Sequence, residues 1–188
     1  PFTGLDPGLK QQIRDELLHY LSQHKITTIM VTHDGDDALF MANKIAVLDH
    51  GHILQVGAAD WLYHNPQHIR VARLLGEINC LHGTVKNGLL QTILGSFPCD
   101  LGEGSDAAAL FRPEMLTVIE HANISQNNSQ PAEIMAAHIL SGRTQLHLRL
   151  ANGAHIHAVL PLLSEPPRGI VAVAIDHAAV VTLPASHC

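Results

Sequence analysis

The sequence predicts an α/β part followed by an all-β part within a chain of 188 residues. Up to about residue 79, helical periodicity alternates with short β-branched runs, whereas beyond it strand-length apolar runs are separated by Gly, Pro and Asn. The hydrophobic share of 46% is high enough to fill the core of one large domain or of two small ones. We therefore expect a boundary near residue 79, set by periodicity.

The first predicted element is a helix over 7–24. Apolar residues recur at every fourth position from Leu9 to Leu21, which is typical of a helix with one buried face. Lys10 and Arg14 fall on the opposite side, so we expect them to face solvent. 

Two aspartates mark helix starts in the first part. Asp6 immediately precedes the 7–24 helix, where its carboxylate can cap free backbone amides. The β-branched run 26–32 predicts a buried strand, after which Asp34 is placed to cap a second helix. The remaining elements follow in order: a buried strand at 44–49, a tight turn at 50–52, a returning strand at 53–56, a short helix at 58–63 and a helix from 65 to 75.

The second part reads as short strands throughout. Their spacing of about 8–14 residues, with turns between them, predicts a small barrel or sandwich. The Asn-, Ser- and Gln-rich stretch 123–130 predicts a polar loop. Candidate strands lie near 81–86, 89–94, 107–112, 115–120, 132–141, 144–150, 154–160, 170–175 and 178–183.

Composition argues against several classes of protein. A net charge of −6 does not favour nucleic-acid binding, which relies on basic side chains at the phosphates. Cys80, Cys99 and Cys188 are odd in number and far apart, so neither a zinc ribbon nor a disulfide framework is predicted, and a reduced intracellular compartment fits best. The sequence contains neither an apolar run of membrane-spanning length nor a signal-peptide pattern at its start.

His33 is the main candidate for chemistry. It stands at the carboxyl end of the predicted strand 26–32, the position at which open α/β sheets bind ligands. An imidazole there can donate to a phosphate oxygen or orient an attacking water. Taken alone, His33 is better explained by a structural role, and Asp6 by that of a helix cap.

Several motifs together resemble the ATP-binding subunits of ABC transporters. Residues 1–7 (PFTGLDP) are similar to the stretch that contains the D-loop, and 28–34 (TIMVTHD) to the strand and loop that carry the switch histidine. The similarity continues through parts of 38–57 and of 63–79. The stretch 111–114 (FRPE) resembles the Arg-Pro-Glu element of the TOBE domain that follows the ATPase domain in one importer subclass.

This resemblance implies a fold and two site residues. Residues 1–79 would be the C-terminal part of a nucleotide-binding domain, and residues 80–188 a small OB-like TOBE β-barrel with a regulatory role. His33 would contact the γ-phosphate of ATP, and Asp6 would lie at the interface between two nucleotide-binding domains.

The motifs that hold nucleotide are absent from these 188 residues. Neither the G-x-x-x-x-G-K-[ST] loop nor the Leu-Ser-Gly-Gly-Gln signature occurs, and the Walker B aspartate and catalytic glutamate would precede Pro1. ATP and Mg²⁺ are therefore expected as cofactors of a longer protein, while this chain alone should not bind them tightly or hydrolyse ATP. Another departure is Gly35-Asp36-Asp37, where the family has Gln-Glu-Glu or similar.

The resemblance also implies partners and a location. A second copy of the chain and transmembrane permease subunits are the expected partners, nucleic acid is not, and the location is peripheral, at the cytoplasmic face of the inner membrane. The linker is most similar to that of ferric-iron importers. Four apolar side chains would pack beneath helices from the rest of the nucleotide-binding domain: Ile29, Val31, Ile45 and Val47.

Histidines and arginines in the second part leave an alternative open. His155 and His157 alternate on one predicted strand, so both rings point to one face about 7 Å apart, but no third ligand lies at a suggestive spacing and no metal site is predicted. A stand-alone regulatory module without enzymatic activity could bind an oxyanion such as sulfate or another small ligand. Its cations would be Arg112, Arg143, Arg149 and Arg168.

Overall fold

The chain folds into two compact units. A computed structural model describes residues 2, 4–119 and 129–187. One unit comprises Pro1–Pro66 and Val71–Gly76, and we call it the helix–hairpin unit; the other comprises Gln67–Arg70 and Glu77–Cys188, and we call it the β unit.

Helix α1 (Pro7–His24) confirms the first predicted helix, but its buried face differs from the prediction. Asp6 caps it by accepting a hydrogen bond from the Leu9 backbone N at 3.0 Å, and Lys25 ends it in the left-handed conformation. Leu9 is exposed, whereas Arg14 is the buried residue of this helix. The expectation that Arg14 faces solvent is therefore wrong, because a buried carboxylate on the next helix pairs with it.

The predicted strand at 26–32 is also wrong. The segment is neither helix nor strand, and no strand in the described ranges pairs with it. Ile29 is 92% exposed and Val31 87% exposed. A β-branched run forms a strand when a neighbouring strand pairs with its backbone N–H and C=O groups. The described residues provide no such strand beside this segment.

The rest of the helix–hairpin unit follows the predicted order. Helix α2 (Gly35–Met41) leads to strands β1 (Lys44–Asp49) and β2 (His52–Ala58), which pair as an antiparallel hairpin. His50 and Gly51 join them, both with positive φ. Helices α3 (Ala59–His64) and α4 (Ile69–Leu74) complete the fold, α4 beginning four residues later than expected. The core of this unit contains Ile45, Val47, Leu62, Val71 and Leu75.

The β unit consists of two five-stranded antiparallel sheets, so the all-β prediction for the second part is confirmed. One sheet has the strand order β10-β9-β8-β11-β7 and the other β12-β6-β3-β4-β5. Its strands are β3 (Asn79–Lys86), β4 (Leu89–Thr92), β5 (Gly95–Pro98), β6 (Asp106–Phe111), β7 (Leu116–Ile119), β8 (Gln130–Leu140), β9 (Arg143–Leu150), β10 (His155–Pro161), β11 (Ile170–Ile175) and β12 (Val181–Pro184).

A single apolar cluster unites the strands from β3 to β11. Its largest members, Phe97, Phe111, Leu146 and Leu148, are fully buried. Strand β5 was not predicted, because a four-residue run that begins with Gly and ends with Pro does not look like a strand. The predicted polar loop 123–130 lies mostly outside the described residues.

The described helices do not include one that is both long enough and apolar enough to cross a membrane.

Candidate functional site

His33 lies in the turn that enters α2, and hydrogen bonds on both sides define this turn. The Thr32 hydroxyl accepts from the Asp34 backbone N at 3.1 Å. Asp34 in turn caps α2, because its Oδ1 accepts from the Asp37 backbone N at 3.1 Å. The His33 side chain between these anchored residues is exposed. The turn therefore presents an imidazole to solvent on a backbone that is held locally.

An ion cluster fastens this turn to α1. Lys10 Nζ lies 2.5 Å from Asp34 Oδ2 and 3.0 Å from Asp37 Oδ1. The Arg14 guanidinium pairs with the same Asp37 carboxylate, and both residues are buried, at 8% and 3% exposure. Helix α1 begins at the Asp6 cap, and its basic side chains bind the turn that carries His33. The same helix therefore contacts both segments that hold the candidate site residues, Asp6 and His33.

Charge in this cluster shifts three pKa values. Hydrogen bonding to Asp34, and to a lesser extent to Asp37, raises the pKa of Lys10. The bond from Lys10 lowers the pKa of Asp34. Burial alone would raise the pKa of Asp37, but the hydrogen bonds from Arg14 and Lys10 outweigh it and hold that pKa below its ordinary value. Both carboxylates therefore stay ionised through the neutral range.

Aromatic rings complete the surroundings of Arg14. Its guanidinium carbon lies 5.9 Å from the centroid of Phe2 and 5.6 Å from that of Phe40. Its Nε is buried and has no hydrogen-bond partner among the described atoms. The carboxylate of Asp37 is thus the charged partner that compensates for burying this guanidinium.

Gly35 is required by packing. A Cβ at this position would lie 1.9 Å from the Leu74 carbonyl oxygen and 2.9 Å from its carbonyl carbon. The glycine that departs from the family pattern therefore allows the start of α2 to approach the backbone at the end of α4.

The sequence identified Asp6, His33 and Asp34 but not the ion cluster that holds their segments together. That cluster consists of Lys10, Arg14 and Asp37, and helical periodicity had assigned both basic residues to the solvent face. A signal was present in the basic pair at i, i+4 on one helix and the acidic pair at the start of the next.

The four arginines proposed for an oxyanion site include two with protein partners. Arg112 is buried and donates from Nη1 to the Glu77 carbonyl oxygen at 3.0 Å. Arg149 Nη2 lies 2.5 Å from Glu133 Oε2. These contacts do not favour a stand-alone oxyanion-binding module.

No family model matches the chain, but comparison with known proteins finds similar sequences. It is 37% identical over 120 residues to the Fe(3+) ions import ATP-binding protein FbpC of Pseudomonas fluorescens, covering 63% of this chain and 34% of that protein. It is 36% identical over 124 residues to the spermidine/putrescine import ATP-binding protein PotA of Oleidesulfovibrio alaskensis, covering 61% and 33%. With the xylose/arabinose import ATP-binding protein XacK of Haloferax volcanii, identity is 31% over 161 residues, covering 81% and 42%.

The chain is homologous to ATP-binding subunits of ABC importers. It matches only about a third to two fifths of the length of these relatives. Their names state different cargoes, so homology alone does not identify a substrate. A solved structure of the cytoplasmic molybdate-binding protein ModG overlaps 55% of this chain and 94% of that chain, with a TM-score of 0.44 and 16% identity.

Proposed function

We propose that this chain is part of the energy-coupling subunit of a bacterial ABC importer. Residues 1–79 would form the C-terminal part of its nucleotide-binding domain, and residues 80–188 a TOBE-like regulatory domain. The observation that carries the proposal is the similarity to several import ATP-binding proteins, which with XacK extends over 161 residues.

His33 would contact the γ-phosphate of ATP. Its exposure supports this role, because the imidazole has to reach a nucleotide that other parts of the subunit hold. The capped turn and the Lys10–Asp34 contact would limit the positions that the ring can take. Such positioning matters, since phosphoryl transfer depends mainly on alignment and electrostatic stabilisation.

ATP and Mg²⁺ would be held mainly outside this chain. One imidazole and one helix-capping carboxylate do not supply the backbone amides and lysine that cradle a triphosphate. Bound ATP would provide the γ-phosphoryl group whose transfer to water releases free energy. His33 would hold a hydrogen bond at that group, and Asp6 would lie where two nucleotide-binding domains meet.

The partners in this proposal are a second copy of the subunit and transmembrane permease subunits. Closure of the ATP-bound dimer would transmit its movement to the permease, so the subunit would work at the cytoplasmic face of the inner membrane.

A chimera tests the proposal directly. The matching segment of FbpC from Pseudomonas fluorescens is replaced by that of this chain, and ATP turnover and nucleotide affinity are measured. We expect the chimera to hydrolyse ATP. Within the chimera, His33→Ala should lower ATP turnover about 100-fold or more and leave the affinity for nucleotide nearly unchanged. The matched control is His19→Ala, which alters an exposed histidine on α1. Unchanged turnover in the His33 variant refutes its role; a folded chimera that binds ATP without turnover argues against the subunit assignment.

Ferric iron is the cargo that we propose. The similarity to FbpC supports it, but identity to PotA is nearly as high, so an uptake measurement has to decide. The chimera should restore Fe³⁺ uptake to cells that lack FbpC. Restoration of putrescine uptake instead, in cells that lack PotA, would contradict the iron assignment.

A further inference from the structure

Three histidines form a ladder across neighbouring strands of the β unit. His147 on β9 is directly opposite His157 on β10, and their ring centroids are 4.2 Å apart. The ring of His138 on β8 lies 5.5 Å from that of His147. These rings are on the outer face, because the alternating residues on β9, such as Leu146 and Leu148, are buried in the core.

Surrounding polar groups hold His157 in place. The Asn79 side chain is buried and clamps the His157 backbone, accepting from its N at 2.7 Å and donating to its O at 2.8 Å. Glu77 Oε1 accepts from His157 Nδ1, while Glu77 Oε2 accepts from Gln145 Nε2 at 2.7 Å. The backbone and the ring of His157 are thus both oriented by side-chain hydrogen bonds.

The Glu77 contact determines which nitrogen of His157 is available. An ionised carboxylate can only accept, so Nδ1 carries the proton and, in the neutral ring, Nε2 has a lone pair. Metal-binding histidines in proteins commonly donate their second ring N–H to a carboxylate in this way. His147 supplies a second imidazole directly across the strand pair.

We propose that His147 and His157 together bind one divalent transition-metal ion of the Zn²⁺, Ni²⁺ and Cu²⁺ class. Two imidazole nitrogens on a tetrahedral zinc ion lie about 3.3 Å apart. The two rings have centroids 4.2 Å apart and planes inclined by 32°, so His147 would turn about its Cβ–Cγ bond to direct a nitrogen at an ion bound to His157. Water is available for the remaining positions. The described residues contain no cluster of three or more His, Cys, Asp or Glu arranged to hold a metal, so this is a two-histidine, exchangeable site.

The experiment uses the 188-residue chain without an affinity tag. Titration calorimetry with Ni²⁺ and with Zn²⁺ should show a highest-affinity site that binds one ion per chain. His147→Gln or His157→Gln should lower the affinity of this site about tenfold or more. Glu77→Gln should weaken it by a similar factor through the lost orientation of His157. His155→Gln is the matched control, because His155 is exposed on the same strand opposite Arg149 and should leave binding unchanged.

A spectroscopic measurement on the unaltered chain makes the test independent of variant folding. The electron paramagnetic resonance spectrum of bound Cu²⁺ should show coordination by two imidazole nitrogens. Binding that is equal in the unaltered chain and in folded His147 and His157 variants overturns the proposal. A site abolished by changing His50 and His52, which flank the hairpin turn, would overturn it as well.

Discussion

The two units differ in how completely their apolar strands find partners. In the β unit, strands from two sheets share one core, and β-branched runs such as Ile170–Ile175 pair on both edges. In the helix–hairpin unit, the comparable run 26–32 pairs with no described strand and exposes Ile29 and Val31. The difference shows that an apolar β-branched run becomes a strand only where another strand completes its hydrogen bonds.

The two units can be observed separately. The single Trp61 and both tyrosines, Tyr20 and Tyr63, belong to the helix–hairpin unit. Intrinsic tryptophan and tyrosine fluorescence therefore reports that unit alone. Hydrogen exchange measured peptide by peptide reports the β unit in the same sample.

The largest effect is expected in the β core. Phe97→Ala removes a fully buried ring and should lower the free energy of unfolding of the β unit by about 3–5 kcal/mol. Urea-dependent hydrogen exchange of β3–β6 peptides measures it. The Trp61 transition should stay in place; an equal shift in both signals would show that the two units unfold together.

A buried ion pair makes the next largest contribution. Arg14→Met leaves the Asp37 carboxylate buried without its main partner and should lower the stability of the helix–hairpin unit by about 3 kcal/mol. Urea unfolding followed by Trp61 fluorescence measures this loss.

The β unit offers a matched control for that pair. Arg149→Met breaks the ion pair with Glu133, whose side chains are 45% and 49% exposed, and should cost about 0.5 kcal/mol or less. Similar losses for both arginine variants would refute the distinction between a buried and an exposed pair.

Two glycines in the helix–hairpin unit should respond in opposite directions. Gly35→Ala forces a Cβ against the Leu74 carbonyl group and should destabilise by about 1–3 kcal/mol. Gly8→Ala, in the first turn of α1, meets only Asp6 Oδ1 at 3.4 Å and should stabilise by about 0.5–1 kcal/mol. Thermal unfolding followed by Trp61 fluorescence distinguishes them, and a neutral Gly35 variant would contradict the close approach.

Acid should weaken the helix–hairpin unit through its aspartates. The pKa of Asp37 and that of Asp34 are lowered in the folded chain, so the unfolded state binds protons first as the pH falls toward the ordinary aspartate pKa of 3.8. Their stabilisation is therefore present above that pH and is lost as pH falls through the folded-state values. Acid titration of Trp61 fluorescence should show this loss in the unaltered chain, and Asp37→Asn should reduce its pH dependence.

The smallest effect is expected in the unpaired segment 26–32. Ile29→Ser and Val31→Ser replace side chains that make little contact, so stability should change by no more than about 0.5 kcal/mol. Urea unfolding of both variants checks this. A loss of several kcal/mol would mean that the segment is buried in solution.

Local signals predicted much of the fold. Asp6 and Asp34 mark the starts of α1 and α2, and the turn at His50 and Gly51 marks the hairpin, because capping and turn chemistry act between neighbours in sequence. The failed prediction at 26–32 depends on a partner strand, which no local pattern specifies.

The candidate site shows the same limit. His33 was identified from its place at the end of an apolar run, yet the contacts of Arg14 and Asp37 join two helices and could not be read from one helical face. The His147–His157 pair depends on strand register, and the sequence pattern singled out His155 with His157 instead. Residues on one strand can be compared by alternation, but residues on different strands cannot.

Strand order has a consequence for how the chain is made. β12, at Val181–Pro184, pairs with β6 at Ala107–Leu110, and β11 separates β7 from β8 although it follows both in sequence. Neither sheet can therefore assume its final order until these late strands have emerged from the ribosome, whereas the β1–β2 hairpin forms from adjacent residues. During synthesis, the larger core is the last to close, and its early strands need protection until then.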